Sequence, residues 1–155
     1  MLTKDEKKTE LKVLNQVLAV CEDGKSFYQH AAREVDSASL RRVFLEQAQA
    51  RREAIQELTE EVQHREGSPV DNGTVSGTLQ QWYTDIRASL SDSQDYQFIV
   101  ALEEAETRSL NELKQAVRSL HNPRLASKLG SHLATIQLAH DRMKSIKDDM
   151  KRTHH

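Results

Sequence analysis

Apolar residues recur along most of this chain at alternating steps of three and four, the spacing that gathers side chains on one face of an α-helix. The first such run covers about residues 4–35, with Leu11, Leu14, Leu18, Cys21, Lys25, Tyr28, Ala32 and Val35 on one stripe. Asp36-Ser37-Ala38-Ser39 then supplies a turn with helix-capping side chains. A second run, about 39–66, carries Phe44, Gln47, Arg51, Ala54, Leu58 and Val62 and stops at Gly67. A third, about 94–120, carries Ile99, Leu102, Glu106, Ser109, Leu113, Ala116 and Leu120. Asn122-Pro123 interrupts the chain, and Pro suits the first turn of the next helix. The fourth run, about 124–150, carries Leu129, Leu133, Ile136, His140 and Met143. No strand-like alternation competes with this pattern.

The spacing between runs selects a topology. Runs one and two, and runs three and four, are separated by only a few residues, so each pair is expected to form an antiparallel hairpin. Residues 67–93 are different. They begin with Gly-Ser-Pro-Val-Asp-Asn-Gly-Thr-Val-Ser-Gly and then carry a short helical pattern over about 78–90, with Leu79, Trp82, Tyr83 and Ile86. A link of that length can run the whole length of a bundle. The expected fold is therefore all-α: a ferritin-like four-helix bundle with a long helical crossover between helices two and three. Residues 1–155 are read as one domain, with a flexible tail at about 151–155.

Composition agrees with long amphipathic helices. Apolar residues make up 37% and charged residues 30%, mean hydropathy is -0.72, and there are only five Gly and two Pro. Lys and Arg total 22 against 24 Asp and Glu, a net charge of -2. No basic block marks a nucleic-acid surface, and no polybasic patch or apolar run of membrane-spanning length marks a membrane protein. The charged N-terminus leads into no apolar signal region, and a single cysteine, Cys21, excludes an internal disulfide and a CxxC motif. The expected compartment is the cytoplasm. His154-His155 carry no functional weight.

Four residues interrupt the apolar stripes: Lys25, Arg51, Glu106 and His140. Lys25 and Arg51 are equidistant from the first turn, and Glu106 and His140 from the second. At 1.5 Å per residue these heights coincide, which predicts one buried polar layer. That is the level at which a ferritin-like bundle builds a carboxylate-bridged dimetal centre from inward Glu side chains and Glu-x-x-His steps. Iron or manganese at such a centre needs several anionic oxygens plus imidazole. Here the layer offers one carboxylate, one imidazole and two cations, and helix four reads Gln137-Leu-Ala-His140, with a neutral amide in place of the acid. A salt-bridged layer is the expectation, with Glu106 neutralised by Arg51 and Lys25. No metal is expected; if one binds, Glu106 and His140 are its ligands.

Several segments also resemble a bacterial ferritin-like four-helix-bundle family, catalogued as a domain of unknown function and found among stress-associated proteins. The resemblance is carried by Asp23-Gly24-Lys25-Ser26-Phe27-Tyr28 with Ala31-Ala32-Arg33-Glu34-Val35, and by Gly73-Thr74-Val75-Ser76-Gly77 with Leu79, Trp82, Asp85, Ile86 and Arg87. Phe44, Gln47, Ala48, Arg51 and Ala54 in helix two, and Ala139-His140-Asp141-Arg142 with Lys147-Asp148, add to it. It covers about residues 11–149. Members carry Glu where this chain has Lys25. Against distant rubrerythrin-like relatives, Arg51 stands in place of a helix-two Glu and Ala54 in place of its His. The resemblance implies the fold and a degenerate metal site, and brings no activity with it.

The remaining chemistry is sparse. Glu61-Val62-Gln63-His64 is a Glu-x-x-His step, but such steps are common in Glu-rich helices, so it is read as solvated surface. Cys21 is read as a small core residue. Trp82 and Tyr83 are read as packing on the bundle, or as part of a surface for a protein partner. The expected function is a non-catalytic, metal-poor bundle acting by binding or assembly. Two alternatives are a di-iron-type oxidase or iron-handling protein, and a helical adaptor that binds a protein partner through the crossover face; the expected partners are a protein or another copy of the chain.

Overall fold

A computed structural model of the chain describes residues 3–65 and 95–153, and all four elements within them are α-helices. α1 (Lys4–Glu34) starts at a reciprocal cap: the Glu6 N–H donates to Thr3 Oγ1 at 3.1 Å, and the Thr3 N–H donates to Glu6 Oε2 at 3.2 Å. α2 (Ala38–His64) starts at Ser37, whose Oγ accepts from the Leu40 N–H at 3.2 Å. α3 spans Asp95–Arg118 and α4 spans Pro123–Thr153. Asn122 Oδ1 accepts from the N–H groups of Arg124 and Leu125, which opens α4 one residue before the expected start. At the other end α4 runs on through residues 151–153, where a tail was expected.

Cross-helix contacts set the directions. Glu46 pairs with Arg142 and Glu61 with Lys128, so α2 and α4 are antiparallel. Glu103 pairs with Lys147 and Lys114 with Gln137, so α3 and α4 are antiparallel. Glu10 of α1 accepts from Asn122, just beyond α3, while Tyr28 lies beside Glu106, so α1 and α3 are antiparallel as well. Each helix therefore has two antiparallel neighbours, in the order α1, α2, α4, α3. The diagonal pair α2 and α3 runs in one direction. The end of α2 and the start of α3 consequently lie at opposite ends of the bundle. The helical crossover expected at 67–93, with Trp82 and Tyr83, falls outside the described residues.

The core divides into two apolar clusters. One, toward the start of α1, contains Leu14, Leu18, Leu58, Val62, Leu113, Leu129 and Leu133. The other, toward the first turn, contains Phe27, Tyr28, Phe44, Ile99, Leu102 and Met143. Burial of one such aliphatic or aromatic side chain is worth about 1.5–3 kcal/mol, so these clusters carry the fold. Two details depart from the stripes read in the sequence. On α3 the buried face runs from Glu106 to Leu110, Leu113 and Val117, because the helix steps by four after Glu106; Ser109, Ala116 and Leu120 sit at its margin. On α1 the buried face is wider than one stripe and also takes in Val13, Val17, Val20, Phe27 and Ala31. No described helix is long and apolar enough to cross a membrane.

Candidate functional site

Between the two clusters lies a charged layer built around Arg51. Arg51 is 2% exposed and Glu106 is 3% exposed. Arg51 Nη2 donates to Glu106 Oε2 at 2.8 Å, while Nη1 donates to the Gln47 carbonyl at 3.3 Å and to Gln47 Oε1. The guanidinium also lies over the Tyr28 ring, 4.8 Å from its centroid, a contact favoured by the ring quadrupole. Tyr28 in turn packs against Phe27 and Phe44, with centroids 5.3 and 5.5 Å away. A buried arginine needs this many partners, because an ion without them would cost several kcal/mol to desolvate.

Gly24 is what admits the arginine. A Cβ at that position would stand 2.7 Å from Arg51 Cδ and closer still to Nε. Gly in a helix interior costs about 1 kcal/mol relative to Ala, so its presence in the middle of α1 reflects the room that Arg51 needs. The residue beside it corrects the sequence reading. Lys25 is 27% exposed and pairs with Glu22 at 3.6 Å, not with Glu106. With Gly24 facing inward, Lys25 falls at the edge of the stripe, where its long stem reaches water.

His140 is buried at 4% exposure, and its Nε2 faces Thr107 Oγ1 at 3.2 Å and the Glu103 carbonyl at 3.3 Å. A carbonyl only accepts, so Nε2 carries the proton, and Gln137 Nε2 approaches Nδ1 at 3.5 Å. Gln137 is half-buried; Lys114 Nζ donates to its Oε1 at 2.9 Å. Three of the five polar residues expected at this level are therefore buried: Arg51, Glu106 and His140. Arg51 and Glu106 bond each other, and His140 bonds the flank of α3.

This donor set does not fit a carboxylate-bridged metal pair. Its single inward carboxylate is bonded to a guanidinium, its imidazole Nε2 is protonated toward a carbonyl, and its third group is an amide held by a lysine. Among the described residues no three His, Cys, Asp or Glu side chains form a group that could hold a metal ion. Two potential nucleophiles beside the layer, Cys21 and Tyr28, are suppressed as well. Burial pushes the Cys21 thiol up to about 11, and burial together with the Glu106 charge pushes the Tyr28 phenol well above its usual value.

A second group of buried charges was missed in the sequence. Glu61, read as solvated surface, is 6% exposed. It accepts from Arg65 at 2.6 Å, Lys128 at 2.7 Å and Arg124 at 3.1 Å. The hydrogen bond from Arg124 leads the causes that hold its carboxyl well below the usual range, with those from Lys128 and Arg65 adding to it. Glu10, 4% exposed, accepts from Asn122 Nδ2 at 2.9 Å and lies 3.7 Å from Arg65. His64 is exposed and takes no part. The available signal was the i,i+4 pairs Glu61–Arg65 and Arg124–Lys128, which place charge on facing sides of two helices.

No curated protein and no solved structure matches the chain. A family profile does, over residues 9–119, which includes most of α1, all of α2 and α3, and the Arg51–Glu106 pair. With most of its length matched, the chain belongs to the family described as Domain of unknown function (DUF2383).

Proposed function

We propose that this protein is a metal-poor, ferritin-like helical bundle that acts in bacterial stress physiology by binding or assembly and not by catalysis. The observation that carries this reading is the Arg51–Glu106 pair, with Gly24 opened to receive it. A guanidinium stands at the level where a ferritin-like bundle would gather anionic oxygens around iron or manganese. The helix order and directions support the bundle type. The end of α2 and the start of α3 lie at opposite ends of the bundle, the arrangement of a ferritin-like fold with one long crossover. The stress association rests on the family resemblance noted in the sequence.

The test is metal loading. Untagged protein incubated anaerobically with ferrous iron and desalted should retain well under one equivalent, and should oxidise ferrous iron no faster than buffer. Two tightly held irons per chain, lost in Glu106→Ala, would establish the di-iron alternative instead.

A further inference from the structure

The end of the bundle that holds the starts of α1 and α4 contains a cleft of 830 Å³, within the range of about 300–1,000 Å³ usual for small-molecule sites. Among the described residues, Lys4, Lys7, Lys8, Arg65 and Arg124 line it, against two carboxylates, Glu10 and Glu61. Steps of three and four place the three lysines on one face of α1, together with Leu11, which also lines the cleft.

Both carboxylates are already occupied. Glu61 is buried under Arg65, Arg124 and Lys128, and Glu10 under Asn122 and Arg65. Lys4, Lys7 and Lys8 make no ion pair with the described residues. The Arg124 side chain is 63% exposed, with both Nη atoms near Glu61, so its guanidinium lies at the boundary between the buried acid and the cleft. The lining therefore keeps a positive excess even though the whole chain is slightly acidic at -2.

We infer that this cleft binds a multiply phosphorylated small molecule. Several lysines around one volume recognise several anionic groups at once, and the planar fork of arginine matches phosphate oxygens in pairs. The size of the cleft suits a polyphosphate or nucleotide and not a long polymer. This assignment goes beyond the binding role proposed above and does not depend on the charged layer, which lies at mid-height in the bundle.

The probes are inorganic tripolyphosphate and metal-free ATP, titrated calorimetrically into the full chain at low salt. Either should bind saturably with one site per chain. Lys7→Gln with Lys8→Gln should weaken binding at least tenfold without changing the melting temperature, since both side chains are exposed. Lys144→Gln with Lys151→Gln, exposed toward the opposite end of α4, should leave it unchanged. Three results would overturn the assignment. They are no saturable binding up to millimolar probe, equal weakening by both pairs of substitutions, and binding of citrate or duplex DNA in preference to both phosphate probes.

Discussion

Arg51→Ala is the most direct probe of the charged layer. The change removes the 2.8 Å bond to Glu106, both bonds to Gln47 and the contact with the Tyr28 ring, and leaves a carboxylate at 3% exposure without its cation. Breaking a buried pair in this way costs about 3–5 kcal/mol, because the remaining charge stays desolvated. Against a domain stability of about 5–15 kcal/mol, that is a large fraction. With a urea slope of about 2 kcal/mol per M, the midpoint should fall by about 2 M. Arg51→Leu separates charge from volume: it fills more of the space yet still strands Glu106, so it should cost nearly as much. Adding Glu106→Leu should then recover most of the loss, since a well-packed apolar pair is often neutral or better than a buried ion pair. A loss below about 1 kcal/mol for Arg51→Ala would be typical of an exposed pair and would refute the buried layer. So would a double variant no more stable than either single.

Gly24→Ala should destabilise by about 1–3 kcal/mol through overpacking against Arg51, although Ala is intrinsically the better helix former by about 1 kcal/mol. In an Arg51→Ala background the same change should be neutral or stabilising, and thermal melts of the four proteins measure that coupling; an equal effect in both backgrounds would dissociate Gly24 from Arg51. Glu61→Gln should cost about 2 kcal/mol at neutral pH by weakening charge-assisted bonds to Arg65, Arg124 and Lys128. Because the folded state holds the Glu61 carboxyl below its ordinary value of 4.5, its contribution is fully present above that pH and is lost as pH falls further. Urea midpoints of wild type and variant should accordingly converge in acid, and a gap that stays constant down to pH 3 would contradict the assignment.

Periodicity made the helices and their hairpins legible, since each long run carries its own apolar stripe and each short link forces its neighbours antiparallel. It also exposed Arg51 and Glu106, because a charge inside an otherwise apolar stripe is visible without any structure. Lys25 misled for a related reason. On one helix, positions 24 and 25 both satisfy the three-and-four spacing, and only the bulk of Arg51 on the neighbouring helix shows that the small residue must face inward. The phase of α3 beyond Glu106 had the same ambiguity, with Ser109 and Leu110 both admissible until packing chose Leu110. Glu61 was illegible for a different reason. Its pairing with Arg65 is local and common on exposed helices, whereas Arg124 and Lys128 come from the other hairpin, more than sixty residues away.

A bundle core could be apolar throughout, so the persistence of a charged layer calls for a reason other than stability. The side chains that α3 gives the two clusters are aliphatic in both, Ile99 and Leu102 in one and Leu110, Leu113 and Val117 in the other, so apolar packing alone would tolerate a shift of that helix along its neighbours. The layer does not. Sliding α3 by one turn, about 5.4 Å, would carry Glu106 away from Arg51 and into one of the two clusters. Two buried charges would then be unpaired at several kcal/mol each, far more than apolar repacking could offset. The pair therefore acts as a register lock between the two hairpins. On this reasoning Arg51→Leu with Glu106→Leu should be about as stable as the native chain but less singular in its packing. Its amide spectrum should show extra or broadened resonances, concentrated on α3, and it should bind a hydrophobic dye more strongly. A double variant with one sharp set of resonances and no added dye binding would mean that the apolar clusters alone set the register, and that the charged layer does not act as a lock.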